Sequence, residues 1–399
     1  MRRNISVDEA IAAVTAAAPE VRTEIVSLAA ATGRVLAEGV SATRDQPPFA
    51  ASAMDGYAVA EREAGSLRII GESIAGRGFH GSVGAGEAVR IFTGAPVPHG
   101  ASAVIMQEKV ARDGDLVTLS PEALASTRTF VRPAGIDFRA GDVLLEVGDR
   151  LDAWRLSLAA AAGRDTMNVA ARPRIAILTN GDELVEAGVA PRPDQIFESA
   201  SFAVADLAES WGGEVRRLPR AADSADAILA SLEGVDADLI VTIGGASVGD
   251  HDLIKPALAQ LGLVIDFASV NVRPGRPAWF GQLADGRHVL GLPGNPASAM
   301  VCAELFLKAL IVTALGGRTP PPVRAVLTTD TPGDGPREAY LRAHLTIGDD
   351  GVARITAFSE QDSSLVTVFA SANALVRVPA GAVTLRAGDT VEVRPLARL

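Results

Sequence analysis

Between residues 172 and 317 short apolar runs alternate with longer amphipathic ones, and nothing else in the 399-residue chain restricts the fold as much. "RIAILT", "EVRRLP", "DLIVTIGG" and "LVIDFASV" read as strands. "FESASFAVADLAESWG", "SADAILASLEG" and "DLIKPALAQLG" read as helices, and "PASAMVCAELFLKALIVTALGG" as a long closing helix. Strand and helix in regular succession imply crossover connections, and therefore a parallel sheet with helices on both faces. The expected unit is a doubly wound parallel α/β domain over 172–317.

The rest of the chain has a different texture. "SVDEAIAAVTAAA" and "VSLAAATGRVLAEGV" read as helices, the first opened by a capping box of Ser6 and Glu9. Pro47-Pro48 ends that pattern, and short strands between glycines follow to about residue 138. "LDAWRLSLAAAAG" at 151–163 returns to helix. The expected organisation is a helical, elongated domain (1–45 and 139–171) interrupted by a β-rich module (46–138). After the stiff linker "RTPPP", the period-two pattern of 318–399 predicts a C-terminal β-barrel-like domain.

The formal charge of −11 argues against non-specific binding to nucleic acid or anionic lipid. The single cysteine, Cys302, excludes an internal disulfide and any multi-cysteine zinc site. The first residues lack a signal-type apolar core, and cytoplasmic residence is the expectation, with no membrane span.

Ligands of open α/β sheets bind at the carboxyl ends of the strands. Three segments place small or polar residues there. "TNGDEL" follows the first strand, "GGASVGDHD" follows "DLIVTI", and "PGNPAS" follows "HVLGL". Gly244 and Gly245 let a phosphate approach the main chain, and amides near Ser247 can form an anion nest. Pro293, Gly294, Asn295 and Pro296 open a helix whose first turn is a second anion site. Ordinary strand-to-helix turns favour the same residues, but three at one sheet edge favour a phosphate-bearing ligand. Asp182 and Glu183 follow the first strand; Asp250 and Asp252 follow "DLIVTIGG". Acids beside a phosphate cradle imply a cation between them, and Mg²⁺ bridges carboxylate to phosphate; helix-capping acids are the plainer alternative. His251 reads as an exposed turn residue. In "NVRPGRPAWFG", Arg273 and Arg276 flank a Pro-Gly turn, which suits an oxyanion or a solvated turn equally.

In order along the chain stand "PPFAASAMDGYAV", "IFTGAPVPHGASAVIMQE", "TNGDEL", "GGASVGDHD", "RPGRP" and "LPGNPAS". Together they closely resemble the MoeA/gephyrin E-domain family of molybdopterin molybdenumtransferases over essentially the whole chain. The resemblance implies an enzyme of molybdenum cofactor biosynthesis that inserts molybdate into adenylylated molybdopterin with Mg²⁺ and releases AMP. It also implies an elongated homodimer whose site is shared between subunits. The adenylyltransferase of the preceding step and cofactor-delivery proteins follow as candidate partners. Carried over residue by residue, Asp55, Asp137 and Thr93 line the cleft, and Glu183 and Asp252 are needed for activity. Asp252 takes the main metal role, with Asp182 or Glu183 assisting. The glycine segment and "LPGNP" hold pterin phosphate and nucleotide, and Arg337, Arg342 and Ser363 are candidates for contacting molybdate.

The sequence departs from the family pattern where "RPGRP" replaces two lysines, where "FESA" (Glu198, Ala200) stands for an Asp- and Asn-containing turn, and where "QDSS" loses a glycine. A degenerate paralogue that carries the cofactor without inserting metal is the alternative this raises. An adenylyltransferase and a purely structural dimer are more distant rivals.

Overall fold

The computed structural model describes residues 1–245, 253–319, 321–333 and 335–396. Ser247, Asp250, His251 and Asp252 lie outside the described residues.

The alternating region forms a six-stranded sheet. Its order is Glu214–Arg217, Arg174–Thr179, Leu239–Ile243, His288–Leu292, Trp279–Gln282, Val264–Phe267. The first four strands are parallel, and the last two turn antiparallel at one edge. Successive side chains of a strand point to opposite faces, so each strand feeds two cores. Ile175 and Ile177 face one, with Val241 and Ile243; Ala176, Leu178 and Ile240 face the other. Helices Ala200–Ser210 and Pro296–Cys302 cover the first face, and Ala225–Leu232 and Ile254–Ala259 the second. A fully buried leucine or isoleucine contributes about 1.5–3 kcal/mol, so the two clusters dominate the domain's stability.

The closing helix continues from Pro296 to Ala314 with a π-helical turn at Ala303–Leu307. By length and composition it is the one helix among the described residues able to cross a bilayer. Most of it is buried inside the protein, and Glu304 there pairs with Lys308 at 2.5 Å. Burial raises the Glu304 carboxyl pKa, opposed by the Lys308 ammonium.

The first helix, Val7–Ala16, has the expected capping box: Ser6 Oγ accepts from Glu9 N–H (3.2 Å), and Glu9 accepts from Ser6 N–H (2.8 Å). It packs Val7, Ala10 and Val14 onto the closing helix of the α/β unit. The helix expected from "VSLAAATGRVLAEGV" does not form. Thr23–Ser27 is a strand paired antiparallel with Thr166–Ala170, followed by one 3-10 turn, Leu28–Ala30. Alanine favours helix intrinsically, but Gly33 takes a left-handed φ of +73°, and the distant strand supplies a ladder that local propensity cannot foresee.

The β-rich module is a six-stranded sheet ordered Ala103–Met106, Gly56–Val59, Glu87–Ile91, Ser66–Ser73, Leu116–Leu119, Val110–Asp113. The C-terminal strands close into a barrel. Glu338–Ile347 pairs with Ala353–Ala357 on one side and Ala374–Val378 on the other, and Val323–Leu327 and Thr390–Pro395 complete the ring. Val272–Arg273, from the α/β unit, adds to the barrel alongside Glu338–Ala339. A multidomain α/β protein with a doubly wound core and a C-terminal barrel is therefore what the sequence encodes.

Candidate functional site

A cleft of about 1330 Å³ opens at the carboxyl ends of the parallel strands. One side is the α/β edge; the other is Arg337 and Gln361–Ser363 of the barrel.

Backbone forms its floor. Gly244 and Gly245 take φ values of +98° and +57°, which glycine adopts without steric penalty. A Cβ on Gly244 would stand 3.1 Å from the Asn180 carbonyl, and one on Gly294 would stand 3.6 Å from Gly244 Cα. The two glycine turns therefore abut. Pro293, Gly294 and Asn295 line the cleft; Pro296 is the first helical residue and has no N–H to offer. The next amide, Ala297 N–H, donates to the Ser363 carbonyl (3.1 Å), while Asn295 Nδ2 donates to Ser363 Oγ (2.7 Å). A barrel loop thus already takes part of the expected anion site at this helix start.

The adjacent acids diverge. Glu183 lines the cleft, whereas Asp182 turns away to Arg220 at 3.5 Å. An acid not anticipated from the sequence, Asp223, accepts from Asp182 N–H and from Asn180 Nδ2, both at 3.1 Å. That leaves Asn180 Oδ1 buried with no partner among the described residues. Among the described residues no group of three or more His, Cys, Asp or Glu side chains is arranged to hold a metal. Mg²⁺ needs hard oxygens, of which one or two carboxylates suffice beside substrate phosphates. Glu183 and the orphaned Asn180 oxygen fit that donor chemistry.

Cations share the cleft. Among the described residues, Arg3, Lys255, Arg273, Arg276 and Arg337 line the cleft with Glu183, Asp223 and Asp362 as its acids, although the whole chain is strongly acidic. Arg273 and Arg276 are exposed on their loop. Gly275 between them carries φ +118° and rests on Cys302, whose thiol donates to the Gly275 carbonyl at 3.6 Å. Complete burial pushes the Cys302 thiol pKa far up, which removes it as a nucleophile.

Arg342 does not face the cleft. It is fully buried, donates through Nη2 to the Asp362 carbonyl (2.8 Å), and its main chain is bracketed by the Gln361 amide. Burial lowers its guanidinium pKa. It braces the wall carrying Ser363. Glu198 is also inward, accepting from Ser201 N–H (2.8 Å) and Oγ (2.7 Å) and so capping helix Ala200–Ser210. The "FESA" departure is thus met by a helix cap outside the cleft lining.

Asp55, Thr93 and Asp137 lie in the β-rich module, away from this chain's cleft lining. Asp55 Oδ1 accepts from Thr93 N–H (2.7 Å) and Oγ1 (2.8 Å), and these bonds lower its carboxyl pKa. Thr93→Val removes one donor and should move that pKa up toward the ordinary aspartate value. An NMR titration of the side-chain carboxyl checks this; an unmoved pKa would contradict it. Asp137 is exposed, and its N–H donates to the Gln46 carbonyl at 3.0 Å.

Sequence reasoning missed Arg3, Asn4, Asn180, Asp223 and Lys255. Asn180 and Asp223 follow strands at the edge already singled out, so the sheet-edge rule could have reached them. Residues 1–5 carry no such signal.

Three family models match the chain in succession: the MoeA N-terminal region (domain I and II) over 5–163, a "Probable molybdopterin binding domain" over 176–312, and the MoeA C-terminal region (domain IV) over 324–396. A Molybdopterin molybdenumtransferase of Haemophilus influenzae is 33% identical over 388 residues, covering 95% of each chain. One of Nostoc sp. is 34% identical over 94% of this chain and 89% of that relative. The crystal structure of the molybdopterin biosynthesis moea protein from Pyrococcus horikosii superposes with a TM-score of 0.82, at 28% identity and 100% coverage of both chains. With its sequence and fold matched from end to end, the chain belongs to the MoeA family of molybdopterin molybdenumtransferases.

Proposed function

We propose that this protein inserts molybdate into adenylylated molybdopterin with release of AMP, as a molybdopterin molybdenumtransferase acting in molybdenum cofactor biosynthesis. The observation that carries the reading is the cleft itself: abutting glycine turns, an arginine loop and an inward glutamate at one sheet edge. Main-chain amides around Gly244 and Gly294 suit the pyrophosphate of the substrate. Arg273 and Arg276, with Arg337 nearby, suit the molybdate oxyanion. Ser363 and the wall braced by Arg342 limit the room on the barrel side. Glu183 and Asn180 would hold Mg²⁺ together with Asp252, which lies outside the described residues. When bound, the ion offsets charge on the pyrophosphate as AMP leaves.

The same reading makes the protein a cytoplasmic homodimer in which Asp55, Thr93 and Asp137 complete the partner's cleft. Exposed apolar residues beside them, Phe49, Met54 and Ile136, support a covered face there. Adenylyltransferase and delivery proteins are its expected partners.

The test supplies purified protein with adenylylated molybdopterin, Mg²⁺ and molybdate, and follows AMP by chromatography. Release that requires molybdate is the expected result. Tight pterin binding without release would instead mark a carrier, and consumption of ATP with molybdopterin would mark an adenylyltransferase.

A further inference from the structure

The first five residues wall the cleft. Met1, Arg3 and Asn4 line it, and Arg2 and Ile5 form parallel bridges to Phe267 and Val270. Arg2 N–H donates to the Asp266 carbonyl (2.8 Å), and its guanidinium forks onto the Asp266 carboxylate (2.7 and 2.8 Å). The segment therefore runs beside 266–270, the stretch that leads directly into the arginine loop.

Asn4 is its turning point. Its φ of +50° is left-handed, a conformation asparagine tolerates better than most residues. Its N–H donates to Ser269 Oγ (2.8 Å), and its carbonyl accepts from Asn271 Nδ2 (2.7 Å). Its side-chain oxygen accepts from Ser269 Oγ (3.2 Å) and from Arg276 Nη2 (3.3 Å). The amide orientation follows from these partners. Ser269 Oγ accepts from the Asn4 N–H and has its own proton to give, and a guanidinium only donates, so oxygen must face both.

Arginine has a long, rotamer-rich side chain, and holding it in place before an anion arrives removes part of the ordering cost of binding. We propose that Asn4 is a positioning residue that holds the Arg276 guanidinium in the cleft, leaving its other N–H groups to the oxyanion. The proposal rests on the molybdate-handling reading above.

Asn4→Gly tests this, because glycine keeps the left-handed turn and the main-chain bonds to Ser269 and Asn271 while removing the side-chain oxygen that Ser269 Oγ and Arg276 share. The KM for molybdate should rise about tenfold, the order expected for a hydrogen bond to a charged group. Turnover number, affinity for adenylylated pterin and thermal midpoint should stay close to wild type. In an Arg276→Ala background the same change should add no further loss of molybdate affinity, since the Ser269 bond it also removes does not act on Arg276. Equilibrium dialysis of molybdate without pterin gives a readout independent of turnover. Unchanged molybdate affinity in Asn4→Gly, or an equal further loss in the Arg276→Ala background, overturns the proposal. Wild-type protein that binds molybdate but releases no AMP overturns the transferase reading and leaves the dialysis test of Asn4 intact.

Discussion

Glu183→Ala and Asp252→Ala should each cut molybdate-dependent AMP release by about 10²–10³-fold, the scale of losing one preorganised electrostatic stabiliser. The structure makes the first effect selective. Glu183 lines the cleft, while its neighbour Asp182 turns outward to Arg220. Asp182→Ala should therefore cost no more than about threefold, as expected of an exposed ion pair. Titrating Mg²⁺ against release in each variant separates the roles. Loss of a metal-holding oxygen raises the Mg²⁺ concentration needed for half-maximal release, whereas loss of a surface pair does not. A severe Asp182→Ala defect beside a mild Glu183→Ala defect would reverse the assignment.

The second large effect is expected at Gly275. A Cβ there would lie 2.2 Å from Cys302 Sγ, and its φ of +118° is open only to glycine among ordinary residues. Cys302 is fully buried in the closing helix and cannot step aside cheaply. Gly275→Ala should destabilise the protein by about 3 kcal/mol, combining overpacking with backbone strain. It should also reduce AMP release by more than tenfold, because Arg273 and Arg276 are displaced together. Adding Cys302→Ala removes the sulfur overlap but not the strained φ. Urea unfolding should show partial recovery, and AMP release should follow it. No recovery would mean that strain alone carries the cost.

Legibility from sequence tracked how local the determining interactions are. The capping box at Ser6 and Glu9 and the strand-helix alternation are written within a few neighbouring residues, and both appear in the structure as expected. Thr23–Ser27 was misread because its partner lies about 140 residues away and its alanine-rich surroundings imitate a helix. Arg342 and Glu198 illustrate a subtler limit. Their residue types suit a ligand site, but whether a charged side chain points into a cleft or braces the wall behind it depends on tertiary packing. Asn4 was invisible for the opposite reason: nothing in "MRRN" suggests a site until the chain is laid beside Ser269 and Asn271.

The short pairing of Val272–Arg273 with Glu338–Ala339 has a mechanical meaning. The proline-rich stretch near 318–322 is the covalent link between the α/β unit and the barrel, and this ladder is a further attachment beside the Ser363 bonds to Asn295 and Ala297, one that contains Arg273 itself. A rotation of the barrel would therefore work like a crank: drawing Ser363 away from Asn295 would also carry Arg273 with Ala339, coupling cleft width to the position of its positive charge.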